Sequence, residues 1–407
     1  MGDPRDIHPA TRLGALALAL ALACATIALF PGCGTIDTSP ASVESCTAEP
    51  AIRTTAAGVR FVRTPDACFA GIADFPWEPK YVEIDGLRQA YVDEGPADAP
   101  PVLLLHGEPS WSYLYRKMIP VLLERGHRVI AMDHLGMGRS DKPTEIASYS
   151  YLGHADRLAR FIEELGLSDV TLFVQDWGSL IGLHVAGEHP EWFARIAVGD
   201  GTLPVLPAGF QVIAPIADPD TPDPDLVLPF GRIPAQQVPF YDTCGTPLGE
   251  LPNDFADWAT YAMRSSNFHP AEVLEALTWF PLDAATAAAY DAPFPRREYM
   301  AGVRTFPSLI NQVGGTNDGA WAGLQAFDRP FLTIWSSNDP GTLGRFGTQQ
   351  NLIRDVRGAR GQPHTRLPNS SHFLQDDQGA TIAALLDDWM KGTSAPADFP
   401  PQACRKP

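Results

Sequence analysis

The stretch VQDWG at residues 174–178 lies between an apolar strand pattern and a helical pattern, and Asp176 stands at its centre. A carboxylate at a sharp turn of this kind can displace a leaving group from carbon and form an ester intermediate. The same aspartate could instead cap the helix that follows, since its side chain accepts hydrogen bonds from the first free N–H groups. The stretch by itself leaves both interpretations open.

An acid and a histidine base that could serve such a nucleophile occur later in the chain, and the order nucleophile, acid, histidine matches that of the α/β-hydrolase fold. His372 lies in a polar stretch just before the last helical pattern, and we predict that it is the general base. Asp339 directly follows a strand pattern at residues 331–335 and is the preferred acid. Asp200 follows another strand pattern, at residues 194–199, and is the alternative acid. A surface histidine and ordinary turn aspartates are the plain alternatives.

These residues follow strands because strand and helix patterns alternate along most of the chain. The continuous apolar run at residues 102–105 is typical of a buried parallel strand, further strands are predicted at residues 128–132 and 170–174, and a helix is predicted at residues 113–124. A strand, a sharp turn and a helix with the reactive residue at the turn form the nucleophile elbow of the α/β-hydrolase fold. The predicted fold class is therefore α/β, with a mostly parallel central sheet and an inserted helical cap.

The cap is predicted at residues 202–327, where the alternation is interrupted. Its first part is rich in proline, with eleven prolines in residues 204–252, and its second part is predicted to form short helices. Residues 59–201 and 328–393 are the two parts of the hydrolase core, and residues 394–407 are a tail. Open α/β sheets bind ligands outside the carboxyl ends of their strands, so the cap should cover the site.

The N-terminal segment carries an uncharged apolar run at residues 13–30, and residues 1–32 are predicted to be a signal peptide or a membrane anchor. Cys33 follows a glycine and loosely resembles the acylated cysteine of a bacterial lipoprotein. A polar tether is predicted at residues 33–58. We therefore expect a bacterial protein that is exported to the cell envelope, with a cytoplasmic location as the less favoured alternative.

The cysteine content and the net charge of the chain argue against two kinds of function, metal binding and nucleic-acid binding. Cys46, Cys68, Cys244 and Cys404 form an even set that could pair in an oxidising compartment, but the spacing does not identify the pairs. No Cys and His cluster has the spacing of a zinc site, so no metal is expected. The 407-residue chain has a net charge of −18, which excludes a nucleic-acid-binding protein because that function needs basic surface. A monomer is expected.

Seven stretches, in a fixed order, resemble the haloalkane dehalogenases of subfamily I. They are RTPDACF (63–69), YVDEG (91–95), HGEPSWSYLYRKMIP (106–120), GMGRSDKP (136–143), VQDWG (174–178), APFPRREYMAGVRTFP (292–307) and SHFLQDD (371–377). The resemblance extends over residues 60–393 and leaves out the leader, the proline-rich part of the cap and the tail.

The resemblance implies a hydrolase that needs no cofactor and converts a haloalkane and water into an alcohol and halide. Asp176 would attack the carbon that bears the halogen and form an alkyl ester. His372, oriented by Asp339, would activate the water that hydrolyses this ester. Relatives often carry Asn at the position of Asp200, so its charge could raise the pKa of His372.

The resemblance also implies which groups bind the halide and the oxyanion. The indole N–H groups of Trp177 and of the cap residue Trp258 would bind the halide, with Trp279 as the alternative to Trp258. The backbone N–H groups of Glu108 and Trp177 would form the oxyanion hole. The long proline-rich part of the cap prevents us from carrying over a substrate range.

Two other functions compete with this interpretation. An epoxide hydrolase shares the fold and the aspartate nucleophile but needs two cap tyrosines, for which Tyr241, Tyr261, Tyr290 and Tyr299 are candidates. A catalytically silent, envelope-tethered binding protein could use the same scaffold, since fold does not imply function. An intact nucleophile, acid and base favour an enzyme over that second alternative.

Overall fold

A computed structural model of the chain describes residues 45–231, 254–340, 343 and 346–393. The predicted leader, the lipidation candidate Cys33 and the tether up to residue 44 lie outside the described residues, as do Cys244, Cys404 and the tail. In the described part of the chain, no helix is long and apolar enough to cross a membrane.

Within the described residues, eleven strands form one large and one small sheet. The strands are β1 Arg53–Thr54, β2 Arg60–Val62, β3 Lys80–Ile84, β4 Leu87–Glu94, β5 Pro101–Leu105, β6 Arg128–Met132, β7 Lys142–Pro143, β8 Val170–Gln175, β9 Phe193–Gly199, β10 Phe331–Ser336 and β11 Thr365–Leu367. The large sheet has the order β11-β10-β9-β8-β5-β6-β4-β3, and β1, β2 and β7 form the small sheet. Only the β3–β4 and β4–β6 pairs of the large sheet are antiparallel, which confirms the predicted, mostly parallel α/β-hydrolase sheet.

The central strands β5 and β8 are apolar along nearly their whole length because helices cover both faces of the sheet. Every residue of both strands is buried. Leu105 pairs with Val174 in the parallel register between them. The loop after β5 and the turn after β8 therefore leave the same edge of the sheet side by side.

Ten α-helices and seven 3₁₀ turns are present in the described part of the chain. The helices are α1 Ile119–Glu124, α2 Tyr151–Glu164, α3 Trp177–Glu188, α4 Asp254–Arg264, α5 Pro270–Leu277, α6 Ala284–Asp291, α7 Ala301–Thr305, α8 Asp318–Ala326, α9 Phe346–Asp355 and α10 Leu374–Met390. The 3₁₀ turns are Asp66–Phe69, Ser112–Tyr115, Ile146–Ser148, Pro190–Trp192, Arg297–Tyr299, Phe306–Gln312 and Arg357–Ala359.

The single helix predicted at residues 113–124 is wrong, because the structure breaks it into a 3₁₀ turn and the short helix α1. Pro120 lies in the first turn of α1, the place where a helix tolerates proline. A continuous helix would push the proline ring against the carbonyl of Arg116, four residues earlier. The chain therefore restarts its helix at Ile119.

Helix α3 packs against α8 at a contact that only glycine allows. A Cβ at Gly187 would lie 1.9 Å from the carbonyl oxygen of Ala320, and one at Gly323 would lie 2.0 Å from the carbonyl oxygen of Gly187. Helix α8 lies inside the range 202–327 that was predicted as the cap. The cap boundaries stay a prediction, and α4 to α7 are the helices between β9 and α8.

A disulfide joins Cys46 to Cys68, so the start of the described chain is bound covalently to the segment before β3. Glu49 adds an ion pair of 2.6 Å with Arg296 in the range predicted as the cap. The structure thereby identifies one pair among the four cysteines that the sequence left unpaired.

Candidate active site

Asp176 joins β8 to α3 in a conformation that residues other than glycine rarely adopt, with a φ of 50° and a ψ of −131°. Two glycines make room for this turn. A Cβ at Gly178 would lie 2.2 Å from the carbonyl oxygen of Leu105, and one at Gly182 would lie 2.7 Å from Val174 Cγ1. The start of α3 therefore packs closely against the ends of β5 and β8.

The side chain of Asp176 makes no capping hydrogen bond to α3. Its Oδ1 instead accepts a hydrogen bond of 2.8 Å from the backbone N–H of Glu108, and its Oδ2 lies 3.3 Å from His372 Nε2. Gly107 permits this approach, since a Cβ there would lie 2.1 Å from Asp176 Oδ1. This geometry favours the nucleophile interpretation over the cap.

His372 lies in the loop between β11 and α10 and is held from two sides. Its Nδ1 lies 2.7 Å from Asp339 Oδ2, and its carbonyl accepts a hydrogen bond of 2.9 Å from Gln175 Nε2. Burial by itself would lower the pKa of His372, but the charges of Asp339 and Asp176 outweigh it and raise the pKa well above its ordinary value. The two carboxylates therefore favour the protonated form of the imidazole.

Asp200, the alternative acid, is fully buried where the chain leaves β9. Its Oδ1 accepts a hydrogen bond of 2.9 Å from the backbone N–H of Ser336, and its Oδ2 has no hydrogen-bond partner among the described residues. Burial, reinforced by the charge of Asp339, raises the pKa of Asp200 to about 8, so this carboxyl group is neutral at pH 7. The acid that the structure places on the ring of His372 is Asp339.

The three candidate halide donors have different surroundings in the structure. Trp177 is buried as the first residue of α3, and Trp258 in α4 packs against the same apolar cluster. The ring of Trp258 lies 5.4 Å from that of Phe230. Trp279 follows α5, where its backbone N–H donates a hydrogen bond of 2.9 Å to the carboxylate of Asp377.

The carboxyl group of Glu108 also belongs to the site, although the sequence pointed only to its backbone N–H. This side chain is buried, and its Oε1 has no hydrogen-bond partner within the described residues. Burial, with a contribution from the charge of Asp176, raises the pKa of Glu108 well above its ordinary value. The protonated form of Glu108 is therefore favoured beside the carboxylate of Asp176.

Three buried histidines that the sequence analysis missed lie behind the loop that carries Glu108. The backbone N–H of His134 donates to His106 Nε2 over 3.1 Å, so His106 Nδ1 carries the proton that it donates to the carbonyl of Gly107. Burial lowers the pKa of His106 to about 4 and those of His134 and His154 well below the ordinary value. His106 opens the HGEP stretch and could have been noticed, but the other two follow no motif.

The arrangement suits displacement at carbon followed by hydrolysis. The Asp176 carboxylate has one oxygen on a backbone donor and the other facing a histidine, and Trp177, the next residue, is buried in an apolar cluster. Among the described residues, no cluster of three or more His, Cys, Asp or Glu could hold a metal ion.

Comparisons with known proteins identify relatives of this chain with the same fold. A family model described as alpha/beta hydrolase fold matches residues 100–343. A haloalkane dehalogenase of Mycobacterium marinum is 40% identical over 338 residues, covering 81% of this chain and 99% of the relative. A haloalkane dehalogenase of Psychrobacter cryohalolentis is 39% identical over 338 residues, covering 81% of this chain and 97% of the relative.

Solved structures of haloalkane dehalogenases are also similar to this chain. A haloalkane dehalogenase from Paraglaciecola agarilytica, whose structure is tetrameric, is similar with a TM-score of 0.62 and 28% identity over 80% of this chain and 97% of that one. A haloalkane dehalogenase from Bradyrhizobium elkani is similar with a TM-score of 0.58 and 26% identity over 78% of this chain and 98% of that one.

Proposed function

The chain belongs to the haloalkane dehalogenases, and we propose that it cleaves carbon–halogen bonds through a covalent alkyl ester on Asp176. The observation that carries this proposal is the position of the Asp176 carboxylate, with one oxygen on the Glu108 N–H and the other facing His372. A carboxylate can displace halide from carbon, whereas the serine usual at this turn performs acyl transfer.

In the first step, Asp176 Oδ2 attacks the carbon that carries the halogen. A carbon–oxygen bond forms as the carbon–halogen bond breaks, and the halide leaves with the bonding electron pair. Trp177 and Trp258 donate their indole N–H groups to the departing halide. Neutral donors in a dry pocket stabilise the halide as it forms without holding it as tightly as a full positive charge would.

Formation of the ester changes the basicity of His372. The negative charge of Asp176 is one of the two charges that raise the pKa of this imidazole. Esterification removes that charge, so the pKa of His372 falls and its proton can leave to solvent. The same chemical step therefore converts His372 from the partner of a carboxylate into a neutral base, still oriented by Asp339.

In the second step, His372 Nε2 takes a proton from water as the water oxygen attacks the Asp176 carboxyl carbon. The negative charge on Oδ1 is stabilised by the N–H of Glu108, with the N–H of Trp177 as the proposed second donor. Collapse breaks the bond between this carbon and the alkoxy oxygen. The alkoxide oxygen takes the proton from His372, and the second proton of the attacking water passes from the Asp176 carboxyl group to His372, which restores the carboxylate and the protonated imidazole.

Membership of subfamily I is part of this proposal, and Trp258 supports it. Trp258 shares an apolar cluster with Trp177, whereas the backbone of Trp279 is bonded to Asp377. Trp258 is therefore our second halide donor.

The contacts of the cap tyrosines weigh against an epoxide hydrolase, which would need two free hydroxyl groups at the site. Tyr290 is bonded to Asp376, and the Tyr261 hydroxyl donates to the carbonyl of Asn267 over 3.3 Å. Tyr299 is buried, and Tyr241 lies outside the described residues.

Halide release tests the proposal. We expect turnover of 1-chloro-, 1-bromo- or 1,2-dihaloalkanes but not of epoxides, and we expect Asp176→Ala to lower the rate at least about 1,000-fold because it removes the nucleophile. The control is Asp156→Ala, which removes an exposed acid on α2. Turnover of epoxides alone would support the epoxide hydrolase, and no turnover of either class would support the silent binding protein.

We further propose that the enzyme is exported to the bacterial envelope and anchored by a lipid on Cys33. The disulfide between Cys46 and Cys68 supports export, since such bonds persist in oxidising compartments. Palmitate labelling of the full chain, with loss of label in Cys33→Ser, tests the anchor, and unchanged labelling would refute it. We keep a monomer as the proposed state, and light scattering distinguishes it from a tetramer like that of the Paraglaciecola relative.

A further inference from the structure

Two acids lie at the site where one histidine needs only one partner. Strands β9 and β10 are parallel neighbours, so Asp200 and Asp339, which follow them, leave the same edge of the sheet. Ser336, the last residue of β10, donates its backbone N–H to Asp200 Oδ1. Asp339 follows three residues later and contacts His372 Nδ1. Both carboxyl groups are almost fully buried.

The surroundings of Asp200 do not supply a second positive charge. The charges that act on its carboxyl group are those of Asp339, which opposes ionisation, and His372, which favours it. The backbone N–H of the neighbouring Asp176 donates to the Asp200 carbonyl over 3.2 Å, and burial raises the pKa of Glu108 well above its ordinary value. Asp339 and Asp200 repel each other when both are charged, and burial adds to the cost, so one of the two acids keeps a proton.

We propose that Asp200 and Asp339 form an acidic pair that carries a single negative charge beside His372, with the charge on Asp339 and the proton on Asp200. This inference rests on the proposed function, because it concerns the basicity of His372 in the second step. Asp200 acts through Asp339 and His372 without touching the substrate, and is therefore a positioning residue.

The acidic pair has two consequences for His372. A single negative charge orients the imidazole, whereas a second would raise its pKa further and keep it protonated when a neutral base is required. If Asp339 is neutralised, burial still opposes ionisation of Asp200, but the repulsion by Asp339 is gone. Asp200 then ionises at a lower pH than in the wild type and supplies the negative charge in place of Asp339.

The first test compares Asp339→Asn with the double variant Asp339→Asn/Asp200→Asn. The enzyme is mixed rapidly with excess 1-bromobutane, and mass spectrometry of the Asp176 peptide follows the decay of the alkyl ester. We expect the single variant to hydrolyse the ester at least about 10-fold faster than the double variant, as for a shift of one pKa unit. Its advantage should grow with pH as Asp200 ionises. Equal ester decay in both variants at every pH would overturn the acidic pair.

The second test uses Asp200→Asn alone and decides the matter if Asp339→Asn does not fold. Wild-type ester hydrolysis should fall through an inflection near the Asp200 pKa of about 8, because the new carboxylate is a second negative charge that keeps His372 protonated. Asp200→Asn should lack this inflection. Ser336→Ala keeps the acid and should keep the inflection. Superimposable profiles of wild type and Asp200→Asn would refute the proposal.

Ester formation in the wild type distinguishes a failure of the proposed function from a failure of the acidic pair. If the wild type forms no ester on Asp176, the proposed function and the acidic pair both fail. If the ester forms and the acid variants behave alike, only the acidic pair is wrong.

Discussion

Asp376 and Asp200 are both buried aspartates, yet their surroundings differ in charge. Asp376 accepts hydrogen bonds from Arg116 at 2.6 and 3.1 Å, from Lys117 at 3.1 Å and from Tyr290. Burial by itself would raise the pKa of Asp376, but Arg116 outweighs it and lowers the pKa below its ordinary value. Asp200 has one backbone donor and a raised pKa.

The difference separates a structural carboxylate from functional ones. The charge of Asp376 is neutralised permanently, and its contacts join α10 to α6 and to the segment before α1. The carboxyl groups around His372 share one imidazole, so their charges and protons can move during a reaction. Strongly perturbed groups of this kind are typical of active sites.

The largest effect that sharpens this contrast is expected from His372→Phe. Asp176 should still be alkylated, but the ester should persist because no base activates water. Halide release should therefore show a burst of about one equivalent per site, followed by a steady rate at least about 1,000-fold below that of the wild type. Rapid-quench halide measurements check this, with His189→Phe on the surface as the control. Normal steady turnover by His372→Phe would contradict the assignment of the base.

The structural carboxylate should instead control stability. Asp376→Asn should lower the free energy of unfolding by about 3–5 kcal/mol at pH 7, since it leaves the buried Arg116 without its charged partner. Because the folded pKa of Asp376 is depressed, its contribution is present above the ordinary value of 3.8 and is lost as the pH falls toward the folded value. Urea denaturation should show the difference between wild type and variant shrinking below that pH. A pH-independent difference would refute the role of the charge.

The smallest expected effect is on kcat/KM, and it comes from replacing two tryptophans in the range predicted as the cap. Trp258→Phe should lower kcat/KM for a bromoalkane about 10-fold, because one hydrogen bond to the departing halide is lost. Trp279→Phe keeps the backbone N–H that Asp377 binds and should change kcat/KM less than about 2-fold. Steady-state kinetics of the two variants test this ranking, and a larger loss in Trp279→Phe would exchange the two assignments.

The sequence allowed the fold and the main site residues to be predicted because they depend on local patterns in a fixed order. Asp176, His372 and Asp339 each follow a strand, and parallel strands bring such residues to one edge. The upward pKa shift of Glu108 and Asp200 could not be predicted in this way. It depends on burial and on charges contributed by distant segments.

Long-range pairing explains the other differences. Nothing in the spacing of the cysteines selects Cys46 and Cys68, which the folded chain brings together. Tyr290 is one of several cap tyrosines in the sequence, and only the packing of α6 shows that its hydroxyl binds Asp376. The helix predicted at residues 113–124 failed because its apolar period was given more weight than Pro120.

The covalent ester on Asp176 is tested most directly by one turnover in water labelled with ¹⁸O, followed by mass spectrometry of the product and of the Asp176 peptide. The alcohol oxygen should come from Asp176 and remain unlabelled, while one ¹⁸O enters the Asp176 carboxylate. Labelled alcohol together with an unlabelled Asp176 in that first turnover would show that water attacks the haloalkane directly, and would contradict the proposed mechanism.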